Sequence, residues 1–368
     1  MLNQDEIKRY ARHLSLENVG LEGQEKLKSA KVLVVGAGGL GVPVLQYLTA
    51  AGVGTIGVMD GDVVDESNLQ RQVLYGTNDI GQAKVEVAIS RLGQLNPHVN
   101  FISHATTLST ENALETLQEY DIIIDGTDNF PTRYLVNDAC VILKKPFVHG
   151  SIFKFQGQVS VFNYQNGPSY RCLYPKAPSA EGAPNCSEVG VLGVLPGVVG
   201  SKMATECLKM ILGIGNVLSG VIEITDLLQN RNIPMQVPRV ESNFERKQLE
   251  LTYENVCSTI KTLEPRISAP ELKSLFDNNT EFTLLDVRED FELEICSFDN
   301  ALHIPMRQIA SRLDEIPTNS PVIVVCHHGM RSSNVIGFLE QHGYDNLSNL
   351  EGGIHAWAVK VDSEMMTY

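Results

Sequence analysis

Lys31-Val-Leu-Val-Val-Gly-Ala-Gly-Gly-Leu-Gly41 sets a β-branched run directly against glycines at G-x-G-x-x-G spacing. Val32 to Val35 reads as a buried parallel strand. Gly36, Gly38 and Gly41 then form a turn, and the spacing from Val42 to Ala51 predicts a helix. A strand that turns tightly into a helix leaves unpaired backbone N–H groups and a positive dipole end facing the turn, which suits a phosphate. A β-carbon would keep the phosphate off the backbone. The next strand, Gly54 to Met59, ends in Asp60, whose carboxylate can hold ribose hydroxyls. The glycine spacing alone is a weak signal, but strand, helix and acidic residue in this order point to a nucleotide site.

Outward from this unit, strand and helix alternate. Residues 4–14 read as a helix ending in Arg9-Tyr-Ala-Arg-His13. A helix carrying Lys84 is expected from Gly81 to Leu95, then a strand at 99–106 and a helix at 110–119. Asp121 to Asp125 is a fourth strand, with Gly-Thr-Asp-Asn129 at its C-terminal end, where open α/β sheets bind ligands. A helix (131–144), a strand (146–151) and a hairpin strand (154–164) follow. Residues 165–189, with four prolines, form a long connection holding Cys172 and Cys186. Such connections are functional or disordered. An apolar helical stretch, about 190–213, and a last strand, 219–226, complete the unit. The chain turns polar from about 238 to 262, read as a linker. A second α/β unit begins near Ile267, with a helix at 270–277, a strand ending at Leu285-Asp-Val-Arg288 and a helix near 307–315. The strand Pro321 to Val325 leads directly into Cys326-His-His-Gly-Met-Arg-Ser332 and a helix to His342, and Leu350-Glu-Gly-Gly-Ile-His-Ala-Trp357 closes the unit. The fold class is therefore α/β: a Rossmann-like, mainly parallel sheet domain over 1–240, a linker over 241–261 and a smaller α/β domain over 262–368.

A chain of 368 residues exceeds what one core usually organises, which agrees with two domains. Apolar content of 43% and charged content of 20% describe a soluble globular protein. The net charge of −15 argues against nucleic acid and anionic membranes as partners. The first thirty residues lack an apolar h-region, and no apolar run is long enough to span a bilayer. Seven scattered cysteines without a framework pattern then suggest reduced thiols and a cytoplasmic location.

Arg71 and Lys84 can neutralise phosphate charge, and Asp128 can hold Mg²⁺. A nicotinamide dinucleotide needs no such cation–carboxylate set, whereas a cleaved triphosphate does. Taken singly, Lys84 would read as a solvated helix-face charge. Together, Gly36-x-Gly-Gly-Leu-Gly41, Asp60-x-Asp62, Ser67-Asn-Leu-Gln-Arg-Gln72, Lys84 and Gly126-Thr-Asp-Asn129 closely resemble the E1-like activating enzymes of the MoeB/ThiF (HesA) group. That group adenylates ubiquitin-like sulfur carrier proteins, and the resemblance covers roughly the first 240 residues. It implies ATP contacts at Gly39, Asp60, Ser67, Asn68, Leu69, Gln70, Arg71, Lys84, Asp128 and Asn129. It also implies that Arg12 reaches the ATP of a partner protomer in a homodimer. Cys186 matches the family's active thiol, on an irregular loop before a helix start that favours thiolate, whereas Cys140 and Cys207 read as core. Many relatives bind structural zinc through two C-x-x-C pairs. Here the first pair reads Ser169-Tyr-Arg-Cys172 and the region 235–250 has no cysteine, so no zinc site is expected and other contacts must tether those loops.

The second unit resembles a rhodanese domain. Cys326 leaves a strand and enters a helix, so a nest of backbone N–H groups around its thiolate is expected. Four residues separate Cys326 from Arg331. Cysteine phosphatases have five, and the shorter loop of Cys326, His327, His328, Gly329, Met330 and Arg331 suits a single sulfur atom. Asp286-Val-Arg288 and Gly352-Gly353 match rhodanese positions as well. A Cys-His-His metal patch is a lesser reading of the same loop.

An adenylating domain joined to a persulfide carrier implies one pathway. ATP with Mg²⁺ activates a carrier ending in Gly-Gly, and sulfur from a donor such as a cysteine desulfurase or thiosulfate, carried on Cys326, displaces AMP. Cys186 either takes the acyl group as a thioester or resolves an acyl-persulfide, giving a thiocarboxylate for molybdopterin, thiamine or tRNA thiolation. Two rivals are an NAD-dependent oxidoreductase and a non-catalytic carrier-docking scaffold.

Overall fold

The strand β1 (Lys31–Val35) is buried along Val32 to Val35, as a central strand covered on both faces must be. Its alternate residues feed two separate cores, Val32 and Val34 into one, Leu33 and Val35 into the other. In this computed structural model, which describes residues 1–177, 190–253 and 265–367, the chain divides into two units, Met1–Asn255 and Val256–Tyr368. The first unit continues with β2 (Thr55–Met59), β3 (Asn100–His104), β4 (Ile122–Asp125), β5 (Phe147–Phe153), β6 (Gln156–Phe162), β7 (Val221–Asp226) and β8 (Arg231–Gln236). The sheet order is β3-β2-β1-β4-β5-β6-β7-β8. Strands β1 to β5 are mutually parallel, and β6 to β8 extend the sheet antiparallel. The chain runs outward from β1 to β3, then returns to place β4 on the other side of β1. The crevice beyond the C-terminal ends of β1 and β4 is thus the topological switch point, where this architecture binds ligands.

Several expectations need correction. Residues 4–14 form two short helices, Gln4–Arg9 and Ala11–Leu14, which meet at Tyr10. A helix at Gly20–Ser29 went unread because it carries few apolar residues and buries a glycine and a glutamine, Gly23 and Gln24, beside Leu27. Strand β8 also went unread: it is an exposed edge with Pro234 inside it, so no face alternates. The polar stretch expected to link the units from 241 is, as far as Tyr253, packed on the first unit. Its charges converge on the buried Asp138: Arg246 lies 3.3 Å away and the Tyr253 hydroxyl donates at 2.8 Å.

In the second unit, β9 (Arg266–Ile267), β10 (Thr283–Asp286), β11 (Leu302–His303), β12 (Val322–Val325) and β13 (Leu347–Leu350) form an all-parallel sheet in the order β11-β10-β12-β13-β9. The central β12 is wholly buried and delivers the chain to Cys326. The helix expected near 307–315 is instead two 3₁₀ turns, Met306–Ser311 and Leu313–Glu315. Among the described residues, no helix is long and apolar enough to cross a membrane.

Candidate functional site

The glycine loop lies at the switch point. Gly36 adopts φ +92°, and the Gly126 amide donates to Val35 O at 2.9 Å, so the ends of β1 and β4 are tied together. Gly41, which opens the helix Gly41–Ala51, has no room for a side chain: a β-carbon would stand 1.8 Å from the Gly36 oxygen. The turn is braced from outside by Tyr75, whose hydroxyl donates to Ala37 O at 2.7 Å, and by the buried Gln72 beside Gly38. Both lay outside the expected site, although Gln72 ends the Ser67–Gln72 motif. Among the described residues, the amides of Gly38, Gly39 and Leu40 donate to no protein acceptor. Three free donors at a helix start fit an anionic phosphate chain.

Asp60 joins this loop to the next. Its carboxylate accepts from the amides of Ala37 and Asp62, both at 2.8 Å. Burial pushes its pKa up, against those two amides and the charge of Lys84. Lys84 is not a solvated helix-face residue. It is 5% exposed, and its ammonium pairs with Asp62 at 3.0 Å, so a positive charge is fixed at the start of the helix Lys84–Leu95. Arg71 donates to Ser67 O at 3.0 Å, and its stem runs alongside Gly39. Ser67, Asn68, Leu69 and Gln70 form the short turn before it, capped by Asp65. Asp128 is exposed and makes no hydrogen bond among the described residues, which leaves a carboxylate free for a hard cation. Asn129 also serves the fold: its side chain caps the helix Phe130–Leu143 by accepting from Thr132 N at 2.9 Å. Arg12 is exposed on the short helix Ala11–Leu14 and has no hydrogen-bond or ion-pair partner among the described residues.

Behind Asp128 lies a buried set that the sequence reading did not single out. His149 Nδ1 is 3.0 Å from Asp125 Oδ2, and Arg133 donates to Thr127 O at 3.1 Å. Burial lowers the pKa of His149, against the hydrogen bond and charge of Asp125. Burial alone would raise Asp125, but the hydrogen bonds from His149 and Thr127 hold it low. This set fixes the backbone from which Asp128 projects.

Cys172 occupies the place where a thiolate cluster was judged impossible. Its sulfur accepts from the amides of Ser169 (3.4 Å) and Val240 (3.3 Å) and from Asn243 Nδ2 (3.4 Å). Burial raises its pKa, but these hydrogen bonds outweigh it and the net shift is downward. Residues 169 and 172, and 240 and 243, have the i, i+3 spacing of C-x-x-C, so one sulfur joins two loops by hydrogen bonds. Cys140 and Cys207 are core residues whose thiols are pushed up by burial. Cys186 lies outside the described residues.

In the second unit, Cys326 follows β12 and is buried. The Gly329 amide donates to its sulfur at 3.1 Å, and the Ser332 hydroxyl lies 3.3 Å away. A backbone amide and a side-chain hydroxyl thus both face the sulfur. Gly329, at φ +97°, caps the helix Met330–Gln341. Arg331 in its first turn is held by Glu292 in a bidentate pair at 2.6 and 2.7 Å. Glu292 was missed; its signal was its place four residues after Arg288. Arg288 is fully buried against Asp286, with the closest approach 2.6 Å. Burial lowers His327 to about 4 and lowers His328 as well, each helped by neighbouring positive charge.

The geometry thus defines a nucleotide-binding α/β unit followed by a unit with a buried, strand-end cysteine. The ThiF family model matches residues 10–250, and the rhodanese-like domain model matches 268–360. The chain belongs to the ThiF family, with a C-terminal rhodanese-like domain. It is 40% identical to a probable adenylyltransferase/sulfurtransferase MoeZ of Mycobacterium tuberculosis, across 100% of this chain and 96% of that one. It is likewise 40% identical to an adenylyltransferase and sulfurtransferase MOCS3 of Aedes aegypti, across 100% and 90%. The crystal structure of E. coli MccB shares the fold, with a TM-score of 0.58 at 22% identity over 66% of this chain and 73% of that one. The chain is an adenylyltransferase and sulfurtransferase that uses ATP.

Proposed function

We propose that the first unit adenylates the C-terminal carboxylate of a ubiquitin-like sulfur carrier ending in Gly-Gly, and that the second unit supplies sulfur to the product. What supports this reading is a glycine loop whose amides at Gly38 to Leu40 have no protein acceptor among the described residues, linked through Asp60 and Asp62 to the paired ammonium of Lys84, with the exposed Asp128 following β4. The carrier carboxylate attacks the α-phosphate, the bond to pyrophosphate breaks, and an acyl-adenylate remains. The loop amides, Arg71 and Lys84 face the charge that moves onto the leaving pyrophosphate. Asp128 is the residue to hold Mg²⁺, which when bound would neutralise phosphate charge. Asp60 orients the ribose, with Asn129 and the 67–70 turn bordering the nucleotide.

The outer sulfur of a persulfide on Cys326 then attacks the acyl carbon, AMP leaves, and an acyl-disulfide joins carrier to Cys326. Attack by the Cys186 thiolate on the Cys326 sulfur releases the thiocarboxylate and leaves a Cys186–Cys326 disulfide. The alternative order, in which Cys186 first takes the acyl group as a thioester, uses the same residues. A cysteine desulfurase or thiosulfate supplies the persulfide. The active form is a homodimer in which Arg12 of each protomer serves the other's ATP, and the loops at Cys172 hold no structural zinc. Exchange of labelled pyrophosphate into ATP that requires an added Gly-Gly carrier tests the adenylation step. Exchange that proceeds equally without the carrier would refute this assignment of the substrate.

A further inference from the structure

We propose that His327, His328 and His355 form a binding site for a borderline transition-metal ion of the Zn²⁺ class at the loop that follows Cys326. His327 and His328 are the two residues after Cys326, and His355 comes from the first turn of the helix Gly353–Lys360. That helix is docked on the loop through its backbone. The Ile354 amide donates to Cys326 O at 2.9 Å and the His355 amide to His327 O at 3.1 Å. The approach is close enough that a β-carbon on Gly353 would stand 2.3 Å from Cys326 O and 2.2 Å from His327 O. Only glycine allows it, and it fixes His355 against the two loop histidines. The rings of His327 and His328 stack at 3.9 Å, and the ring of His355 stands 4.9 Å from that of His328 and 5.8 Å from that of His327. One ligand nitrogen from each lies within 4.8 Å of the others. His355 Nδ1 is buried and has no hydrogen-bond partner among the described residues.

Three imidazoles with no carboxylate suit zinc, copper or nickel and do not suit Mg²⁺ or Ca²⁺. Metal–nitrogen bonds of about 2.0–2.1 Å require the three nitrogens to draw closer together on binding. With three protein ligands, a tetrahedral ion keeps a fourth position open, as catalytic or exchangeable sites do. The site shares no residue with the loops at Cys172 and none with the nucleotide crevice.

The test titrates the full, untagged, chelator-stripped chain with Zn²⁺ in the presence of excess Mg²⁺, by calorimetry, and repeats it with Co²⁺ by absorption. His355→Ala and His355→Gln should each weaken Zn²⁺ binding at least about tenfold, since losing even a residue that only orients a ligand costs about 10–100-fold. Trp357 emission confirms that each variant is folded. Cys326→Ala should still bind, and the Co²⁺ spectrum should show tetrahedral d–d bands without a thiolate charge-transfer band. Unchanged affinity in both His355 variants, a thiolate band, or loss of binding in Cys326→Ala would overturn the assignment.

Discussion

Replacing Glu292 with glutamine removes one charge from the pair that holds Arg331 beside the sulfur loop. Both carboxylate oxygens are in use. Arg331 donates to them at 2.6 and 2.7 Å, and the Glu289 amide donates to Oε2 at 2.8 Å. The two side chains are 12% and 4% exposed, so water is poorly placed to replace the lost partner. Breaking a buried pair from one side costs about 3–5 kcal/mol. Glutamine keeps the volume and one acceptor, so the lower end, about 3 kcal/mol, is expected. Trp357 is the only tryptophan in the chain and packs edge-on against Phe276 and Phe298. Its fluorescence in urea therefore reports the second unit within the intact protein. With a slope of about 1–1.5 kcal/mol/M for a unit of this size, the midpoint should fall by about 2–3 M. Glu292→Met combined with Arg331→Met should recover most of the loss, since an apolar pair leaves no charge unpaired. A fall of less than about 0.5 M for Glu292→Gln, at unchanged slope, would refute the reasoning.

Asp128→Ala should abolish carrier-dependent pyrophosphate exchange and spare sulfur transfer from thiosulfate to cyanide; loss of both in a folded variant would contradict the division of labour between units. Gly41→Ala forces a β-carbon 1.8 Å from Gly36 O, so the loop must shift by an ångström or more and exchange should fall at least about 100-fold, while the Trp357 urea midpoint stays unchanged. Because burial depresses His149 below its usual range, the unfolded chain binds the proton more readily. Its contribution to stability is therefore present above about pH 6.5 and lost as pH falls below it. The thermal midpoint of the first unit by circular dichroism should drop between about pH 7 and 5, and less steeply in His149→Gln; equal slopes would count against it. Chelator-treated wild type should retain no zinc at Cys172, while Ser169→Cys, Val240→Cys and Asn243→Cys together should acquire one chelator-resistant zinc by elemental analysis.

The parts that were legible share a physical reason. A strand buried on both faces, such as Val32 to Val35 or Val322 to Val325, must be apolar throughout, and the turn after it must be glycine or a reactive residue. Those two stretches fixed both units and the order of the sites. Lys84 showed the limit of that method, because a lone lysine at a helix start gives no sign that the fold will bury it against Asp62. The same holds for Glu292 and for Asp125 with His149, whose partners are distant in sequence or lie within otherwise apolar strands. Strand β8 and the helix Gly20–Ser29 were missed because neither has a periodic apolar face.

The cysteines sort themselves by what surrounds each sulfur, and that sorting constrains the route of sulfur transfer. Cys140 and Cys207 are sealed in the core, where burial raises the thiol. Cys172 has donors, but all of them come from two loops it must hold together, so modifying it would release the tether. Cys296 accepts from Arg288 Nη1 at 3.8 Å, within the buried pair of that arginine with Asp286. Among the described cysteines only Cys326 stands at a strand end, with an amide and a hydroxyl aimed at its sulfur and a helix beginning just beyond. Its sulfur accepts from its own loop and the helix that follows, so modifying it releases no tether between separate loops. Cys326→Ala should therefore remove persulfide formation and thiocarboxylate production while leaving pyrophosphate exchange near normal, because adenylation moves no sulfur. Mass spectrometry of the carrier's C-terminus after a single turnover reads this directly. A normal thiocarboxylate yield from Cys326→Ala supplied with a persulfide donor would mean that no other feature of this sorting selects the carrier, and the assignment of Cys326 would fall with it.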